Sequence, residues 1–164
     1  MTITVQIKYR DVEETFTGTV DEVWIAVNRF FGQTVRHFDA LQGIVLTTDL
    51  HKVIEACRDL IAVTEEEAVI LVSKQKLTDS ENMLLMLLAT YAGNRLGVLG
   101  RDWLSKDKLR ECLGKNRKIT ATRLGELCRE GLVVKTEAGY RLSTFGIKRL
   151  VEELLPQIKR KVRT

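Results

Sequence analysis

The residue types that most often carry chemistry are few in this sequence, and their spacing matches no catalytic or metal-binding pattern. His37 and His51 lie near Asp39 and Asp49, which would permit metal coordination, but zinc ligand spacing is absent. The sequence also lacks a glycine-rich phosphate loop and a Gly-x-Ser-x-Gly nucleophile motif. We therefore expect no enzyme activity, no metal and no cofactor.

The cysteines and the apolar runs indicate a cytoplasmic protein. Cys57, Cys112 and Cys128 are odd in number, far apart and placed on apolar helix faces, as is typical of reduced thiols in a core. The longest apolar run, Met83 to Ala89, is much shorter than the roughly 20 residues of a membrane span. The N-terminus has no basic region followed by an apolar one, so we expect no signal peptide and no membrane partner.

Charge divides the chain near residue 73. Residues 1–73 contain 6 Lys/Arg and 12 Asp/Glu, whereas residues 74–164 contain 20 Lys/Arg and 10 Asp/Glu. Such asymmetry predicts two parts with different partners, and the basic part is the candidate for binding a polyanion. The alternative is a surface charge pattern without a partner.

The acidic part, residues 1–73, is predicted to be a small α+β domain with helices on one face of an antiparallel sheet. Trp24 falls on the apolar stripe of its first helix and is expected in the core. The role of this domain is not indicated by its sequence. The predicted elements are strands at 2–9 and 15–17, helices from Thr19 to Gly32 and from Thr34 to Leu46, a third helix after Asp49, and strands at 61–63 and 68–72.

The basic part, residues 74–164, is predicted to be helix, helix, turn, helix, hairpin, helix. Its first helix is apolar all round, which requires burial on several sides, either between domains or in a dimer. The cationic tail from Lys159 to Arg163 adds affinity for a polyanion or is a frayed terminus. The predicted elements are a helix opened by Thr78 and Glu81, a short helix capped by Ser105, a third helix capped by Thr120, a hairpin at 132–135 and 140–142, and an amphipathic helix over 147–158 containing Pro156.

Residues 78–158 resemble a winged helix-turn-helix domain. The resemblance is carried by Ile119 to Leu124, by Gly131-Leu132-Val133 after the third helix, and by the return strand from Gly139 to Ser143 with Gly146. Archaeal proteins of this type pair a small N-terminal domain with such a module. The expected fold class is therefore α+β, with a small N-terminal α+β domain at 1–73 followed by a C-terminal winged helix-turn-helix domain at 74–164.

This resemblance implies contact with duplex DNA, with residues 120–130 as the recognition helix in the major groove. Thr122 and Arg123 would reach base edges, and the other cations would hold phosphates or form the backbone contacts of the wing. Glu126 and Glu130 would repel phosphates unless they pair with arginine. The candidate DNA-binding residues are Lys115, Arg117, Lys118, Thr120, Thr122, Arg123, Arg129, Lys135 and Arg141.

The function expected from these features is that of a DNA-binding transcriptional regulator that is a homodimer. The dimer follows from the apolar helix at 80–91 and the stripe at 147–158, although both could instead pack against the acidic half. The alternative function is a protein-interaction module built on the same fold. The sequence identifies no small-molecule effector, and few exposed aromatics in the basic half disfavour RNA.

Overall fold

The computed structural model describes residues 1–9, 11–34 and 48–164, and the chain divides into two compact units, Met1–Leu46 and Thr47–Thr164. The charge boundary near residue 73 therefore lies inside the second unit. Lys108 Nζ pairs with Glu67 at 3.0 Å, which joins the acidic and basic segments of that unit. Residues 47–164 together contain 22 Lys/Arg and 16 Asp/Glu, so acidic residues offset part of the basic excess.

The N-terminal unit contains a hairpin and a helix, as predicted. Strand β1 is Ile3–Tyr9 and strand β2 is Val12–Gly18, and they pair antiparallel with Ile3 opposite Gly18. Helix α1 is Val20–Thr34. The Thr19 amide donates to Glu22 at 2.8 Å and the Glu22 amide donates to Thr19 Oγ1 at 3.4 Å, which is the predicted capping box.

Helix α1 buries a face that overlaps the predicted apolar stripe at Val23 but excludes Trp24. Val23 and Phe30 are buried, and the Phe30 ring meets Phe16 of β2 edge to face at 5.9 Å between centroids. Trp24 is 47% exposed, so its predicted place in the core is wrong, because α1 packs on β2 through the neighbouring row of side chains. The predicted helix at 34–46 lies outside the described residues, apart from Thr34, with which α1 ends.

The C-terminal unit begins with a helix and a second hairpin. Helix α2 is Leu50–Cys57, capped by Asp49 as predicted, and strands β3 (Ile61–Val63) and β4 (Ala68–Ile70) pair antiparallel. The β3–β4 pair is a separate sheet from β1–β2. The prediction of one sheet across residues 1–73 is therefore wrong, because β3 and β4 form their own two-stranded sheet and pack on the long helix that follows.

That long helix, α3 (Asp79–Arg95), is the centre of the C-terminal unit. Thr78 caps it in the predicted capping box with Glu81. Leu85, Leu87 and Leu88 are fully buried. Helix α3 contacts α2, β3, β4 and later elements of the same unit, so its all-round apolar surface is covered within the unit.

The remaining elements follow the predicted order. Leu104 exchanges two backbone hydrogen bonds with Tyr140, at 2.9 and 2.8 Å, and so adds a third short strand segment beside the second hairpin strand. The elements are α4 (Lys106–Leu113), α5 (Arg117–Arg129), β5 (Val133–Lys135), β6 (Tyr140–Leu142), α6 (Thr144–Arg149), a π-helical segment (Leu150–Leu154) and α7 (Leu155–Arg163).

The C-terminal helix is docked along its length. The π-helical segment directly precedes Pro156, whose missing N–H disrupts the regular hydrogen-bond ladder. Leu155 and Ile158 are buried in the same core as α3, and Lys161 pairs with Glu81 at 2.9 Å. The tail is therefore helical to Arg163 and not frayed. None of the described helices has the length and apolar character needed to cross a membrane.

Candidate nucleic-acid interface

Helix α5 begins earlier than predicted, because Asn116 caps it in place of Thr120. Asn116 Oδ1 accepts from the Ile119 amide at 2.9 Å, and the helix runs from Arg117. Thr120 is fully buried and its Oγ1 donates to the Asn116 carbonyl at 2.9 Å. The predictions that Thr120 caps the helix and contacts DNA are both wrong, because Thr120 lies on the core side of α5.

The side of α5 that points away from the core carries two cations with small side chains between them. Lys118, Thr122, Gly125 and Arg129 are spaced at i, i+4, i+7 and i+11, which places them on one face of the helix, and all four are exposed. We call these four residues the outer face of α5. The opposite face is buried against α3, α4 and β5, so the helix is held by the fold with its outer face open.

Gly125 lies at the centre of the outer face without a packing reason for being glycine. A Cβ atom at this position would meet nothing within 4 Å. Glycine inside a helix costs roughly 0.5–1 kcal/mol relative to alanine. The glycine therefore gives the fold no side-chain contact, and its carbonyl accepts from Arg129 Nε at 3.3 Å. Its effect is that no side chain larger than threonine stands between Lys118 and Arg129 on the outer face.

Arg123 lies at the flank of the outer face, and its charge is already paired. Its Nη1 atom donates to Glu126 Oε2 at 2.8 Å, and this hydrogen bond raises the pKa of the Arg123 guanidinium above its ordinary value. The expected pairing of Glu126 with an arginine is confirmed. The sequence places Thr122 and Arg123 together on the exposed face. In the structure Thr122 is exposed, whereas the Arg123 side chain is 42% exposed and its guanidinium is hydrogen-bonded to Glu126.

The β5–β6 hairpin is short and has its cations on opposite faces. Lys135 pairs with Tyr140 and Val134 pairs with Arg141 across the two strands, so Lys135 and Arg141 point to opposite sides of the hairpin. Glu137 lies in the exposed turn. A Cβ at Gly139 would lie 2.3 Å from the Leu104 carbonyl oxygen, so glycine is required for the close approach of the two segments.

The structure brings together some of the predicted residues and separates others. Lys118, Thr122 and Arg129 share the outer face of α5, and the exposed Lys115 and Arg117 precede it at the start of the helix. Lys135 and Arg141 diverge on the hairpin. Sequence reasoning missed Gly125, which the i, i+4, i+7 spacing from Lys118 would have found. It also missed two cations of α4, Lys106 and Arg110, which line a cleft with Arg117.

The cysteines and acidic groups of the described residues form neither a metal site nor a reactive thiol. No group of three His, Cys, Asp or Glu residues able to hold a metal occurs within residues 1–9, 11–34 and 48–164. Burial raises the pKa of the Cys57 thiol to about 11, and burial also raises the pKa values of Cys112 and Cys128. All three thiols are therefore protonated at neutral pH and poor nucleophiles.

Comparison of the chain with protein-family models, with curated proteins and with solved structures finds no match. The features that bear on function are therefore those of the C-terminal unit itself: an exposed helix face with a cation near each end, only threonine and glycine between these cations, and a basic turn leading into the helix.

Proposed function

We propose that residues 74–164 form a winged helix-turn-helix arrangement and that the protein is a cytoplasmic DNA-binding transcriptional regulator. The order of α3, α4, α5 and the β5–β6 hairpin supports this arrangement. The backbone pairing of Leu104 with Tyr140 supports it further, since it adds a third strand segment between the first and second helices of the set. In this proposal α5 is the recognition helix and the β5–β6 hairpin is the wing.

The observation that carries the proposal is the open outer face of α5. Lys118 and Arg129 are about 16 Å apart along the helix axis at 1.5 Å per residue, and only small side chains stand between them. A helix with this profile can enter the major groove, which is about 12 Å wide, while its terminal cations reach phosphates on either side. Ion pairs between α5 and phosphates would make the affinity fall with salt.

Each residue of the proposed interface has a distinct role. Thr122 is exposed near the start of the helix, and its Oγ1 donates to the Lys118 carbonyl at 2.9 Å. The same oxygen can still accept from a base amine, and the methyl group can contact a thymine methyl. Lys115, Arg117 and Lys118 contact phosphates at the N-terminal end and Arg129 does so at the C-terminal end. Arg123 contributes to DNA binding only when its ion pair with Glu126 is replaced by a contact with DNA.

The two apolar surfaces from which a dimer was expected are not available for dimerisation. Ile147, Leu150 and Ile158 of the C-terminal stripe belong to the same core as the apolar residues of α3, so both surfaces are covered within the unit. A homodimer stays a proposal that the symmetry of the DNA target can test, because a two-fold protein selects a near-palindromic site.

Selection of bound duplexes from a random pool at two salt concentrations tests the proposal. The expected result is an enriched motif for the full chain and weaker enrichment of the same motif for Lys118→Gln/Arg129→Gln, because lost phosphate contacts lower the affinity without changing the base contacts. Lys52→Gln/Lys148→Gln, which removes two exposed cations outside α5, serves as the matched control. If the wild type recovers all duplexes without enrichment, the result would contradict sequence-specific recognition of DNA. Equal enrichment by the α5 variant would contradict the role of the outer face.

One set of observations favours a protein-interaction module instead. The Arg123–Glu126 pair neutralises one cation, Glu137 stands in the hairpin turn, and Phe145 at the start of α6 is 48% exposed. Compared with DNA, an acidic protein partner would bind the same cations with fewer negative charges and with more apolar contact. Salt separates the two functions, because DNA affinity falls steeply with salt and an apolar interface barely responds.

A further inference from the structure

A cleft of about 270 Å³ opens between the first turns of α4 and α5. Lys106, Asp107 and Arg110 line it from α4, Arg117 lines it from α5, and the buried Thr120 lies beneath its floor. Lys106 and Arg117 are the first residues of their helices, so both helices begin at this cleft. The site thus combines three cationic side chains with one carboxylate.

The charges around the cleft are only partly compensated. Asp107 lies 3.7 Å from Arg110, and this is the ion pair that the cleft contains. Neither Lys106 nor Arg117 forms an ion pair with any other described residue, and both are exposed. The Lys108 and Ile119 amides at the starts of α4 and α5 are already capped by Ser105 and Asn116, so an anion in the cleft would be attracted by the three cationic side chains.

We infer that this cleft binds a phosphate group. A tetrahedral dianion would accept hydrogen bonds from Lys106 and Arg117 and would compete with Asp107 for Arg110. The volume is sufficient for a phosphate group and a small attached moiety, and the open mouth admits a group that belongs to a longer chain. A monovalent carboxylate would satisfy fewer of the three cations, so the phosphate group is the better match.

The phosphate can come from two sources, a free phosphorylated molecule or the backbone of a duplex. Arg117 belongs both to the cleft and to the N-terminal end of α5, so a duplex on the outer face of α5 would place backbone phosphates near the cleft. The second source rests on the proposed function. The site itself does not, because it is tested on the protein without DNA.

Titration of the full chain with inorganic phosphate at pH 7.5 and constant ionic strength, followed by amide NMR shifts, tests the inference. Saturable shifts at Lys106, Arg110 and Arg117 are expected. Arg117→Gln should weaken the apparent affinity about tenfold, the effect of losing one charge-assisted hydrogen bond. Asp107→Asn should tighten it, since the variant removes the carboxylate that repels the anion, and Lys148→Gln should leave it unchanged.

The result that overturns the inference is a set of small, linear shifts that Lys148→Gln reduces as much as Arg117→Gln does. Weaker binding by Asp107→Asn would also overturn it. Once binding is shown, addition of a duplex distinguishes the sources: loss of the phosphate-induced shifts assigns the cleft to the DNA backbone, and their persistence assigns it to a free phosphorylated ligand. Failure of the duplex to bind at all would count against the proposed function alone.

Discussion

Arg123 Nη1 donates a 2.8 Å hydrogen bond to Oε2 of Glu126, three residues further along α5. Both side chains are partly exposed, at 42% and 37%, and stand at the flank of the outer face. Exposed pairs of this kind contribute little to stability, with a median near 0–1 kcal/mol. The pair therefore matters more for DNA binding than for folding stability. It holds one arginine and one carboxylate beside the surface that we propose contacts DNA.

Glu126→Gln should strengthen DNA binding. The substitution frees Arg123 and removes a negative charge from the edge of the outer face, so one more cation can neutralise a phosphate. We expect the slope of log K against log salt to become steeper by about 1, with a higher affinity at low salt. Fluorescence anisotropy of a labelled duplex measures both. Glu152→Gln, an exposed carboxylate of the π-helical segment, is the control, and weaker binding by Glu126→Gln would count against the placement of α5 on DNA.

Gly125→Ala should separate stability from binding. The added methyl group has open space, so the variant should be more stable to urea by about 0.5–1 kcal/mol, as expected for replacing an exposed helical glycine. The same methyl group should weaken DNA binding if the helix backbone approaches the duplex closely. A variant that is more stable and binds DNA as well as the wild type would show that Gly125 does not face the duplex.

Asn116→Ala should destabilise the C-terminal unit. Asn116 Oδ1 caps the Ile119 amide, and loss of such a cap costs about 1 kcal/mol. Asn116→Asp keeps a side-chain acceptor and should retain most of the stability. Urea unfolding of both variants measures the difference. An unchanged midpoint for Asn116→Ala would show that another residue caps α5.

The Glu81–Lys161 contact should make the free energy of unfolding depend on pH in the acid range. Burial raises the pKa of Glu81, but hydrogen bonds from the Thr78 amide and from Lys161 outweigh it and leave the pKa below its ordinary value of 4.5. A carboxyl whose pKa is lower in the folded state stabilises the protein above its ordinary pKa, and this contribution is lost as pH falls through the lower folded value. Glu81→Gln should therefore be less stable than the wild type at neutral pH.

The two proteins should converge in stability as the pH falls below the lowered folded-state pKa of Glu81, where the carboxyl is protonated in both states. Urea unfolding across the acid range measures this convergence. Glu152→Gln is again the exposed control. A difference between wild type and Glu81→Gln that is constant with pH would show that the carboxylate charge of Glu81 is not what the contact uses.

Local signals in the sequence were sufficient for most element boundaries in the C-terminal unit. Asp49, Thr78 and Ser105 each cap the predicted helix. A side-chain acceptor directly before a segment with helical spacing of apolar residues is a strong signal for a helix start. Gly114 ends α4 with φ +69°, a left-handed conformation that glycine adopts without strain. These features depend on neighbours within one helical turn, which a sequence displays directly.

The errors arose where tertiary packing decided between equal local signals. Asn116 and Thr120 are both good capping types, and the burial of Thr120 beside Leu124 decided in favour of Asn116. Surface charge placed a boundary near residue 73, whereas the division of the chain follows the apolar contacts of α2 and β4 with α3. The candidate interface was predicted in part, since helical spacing gives a face and offers both Arg123 and Arg129 as partners for Glu126. The structure pairs Glu126 with Arg123, whereas Arg129 Nε donates to the Gly125 carbonyl at 3.3 Å.

The salt dependence of duplex binding by Lys118→Gln/Arg129→Gln tests the central claim most directly. The wild type should lose affinity steeply as KCl rises, and the double variant should bind more weakly with a slope smaller by about 2, because two phosphate contacts are lost. Lys52→Gln/Lys148→Gln makes the same charge change outside α5 and the C-terminal tail and should retain the wild-type slope. Equal slopes and affinities for the two double variants would contradict the claim that the outer face of α5 contacts DNA.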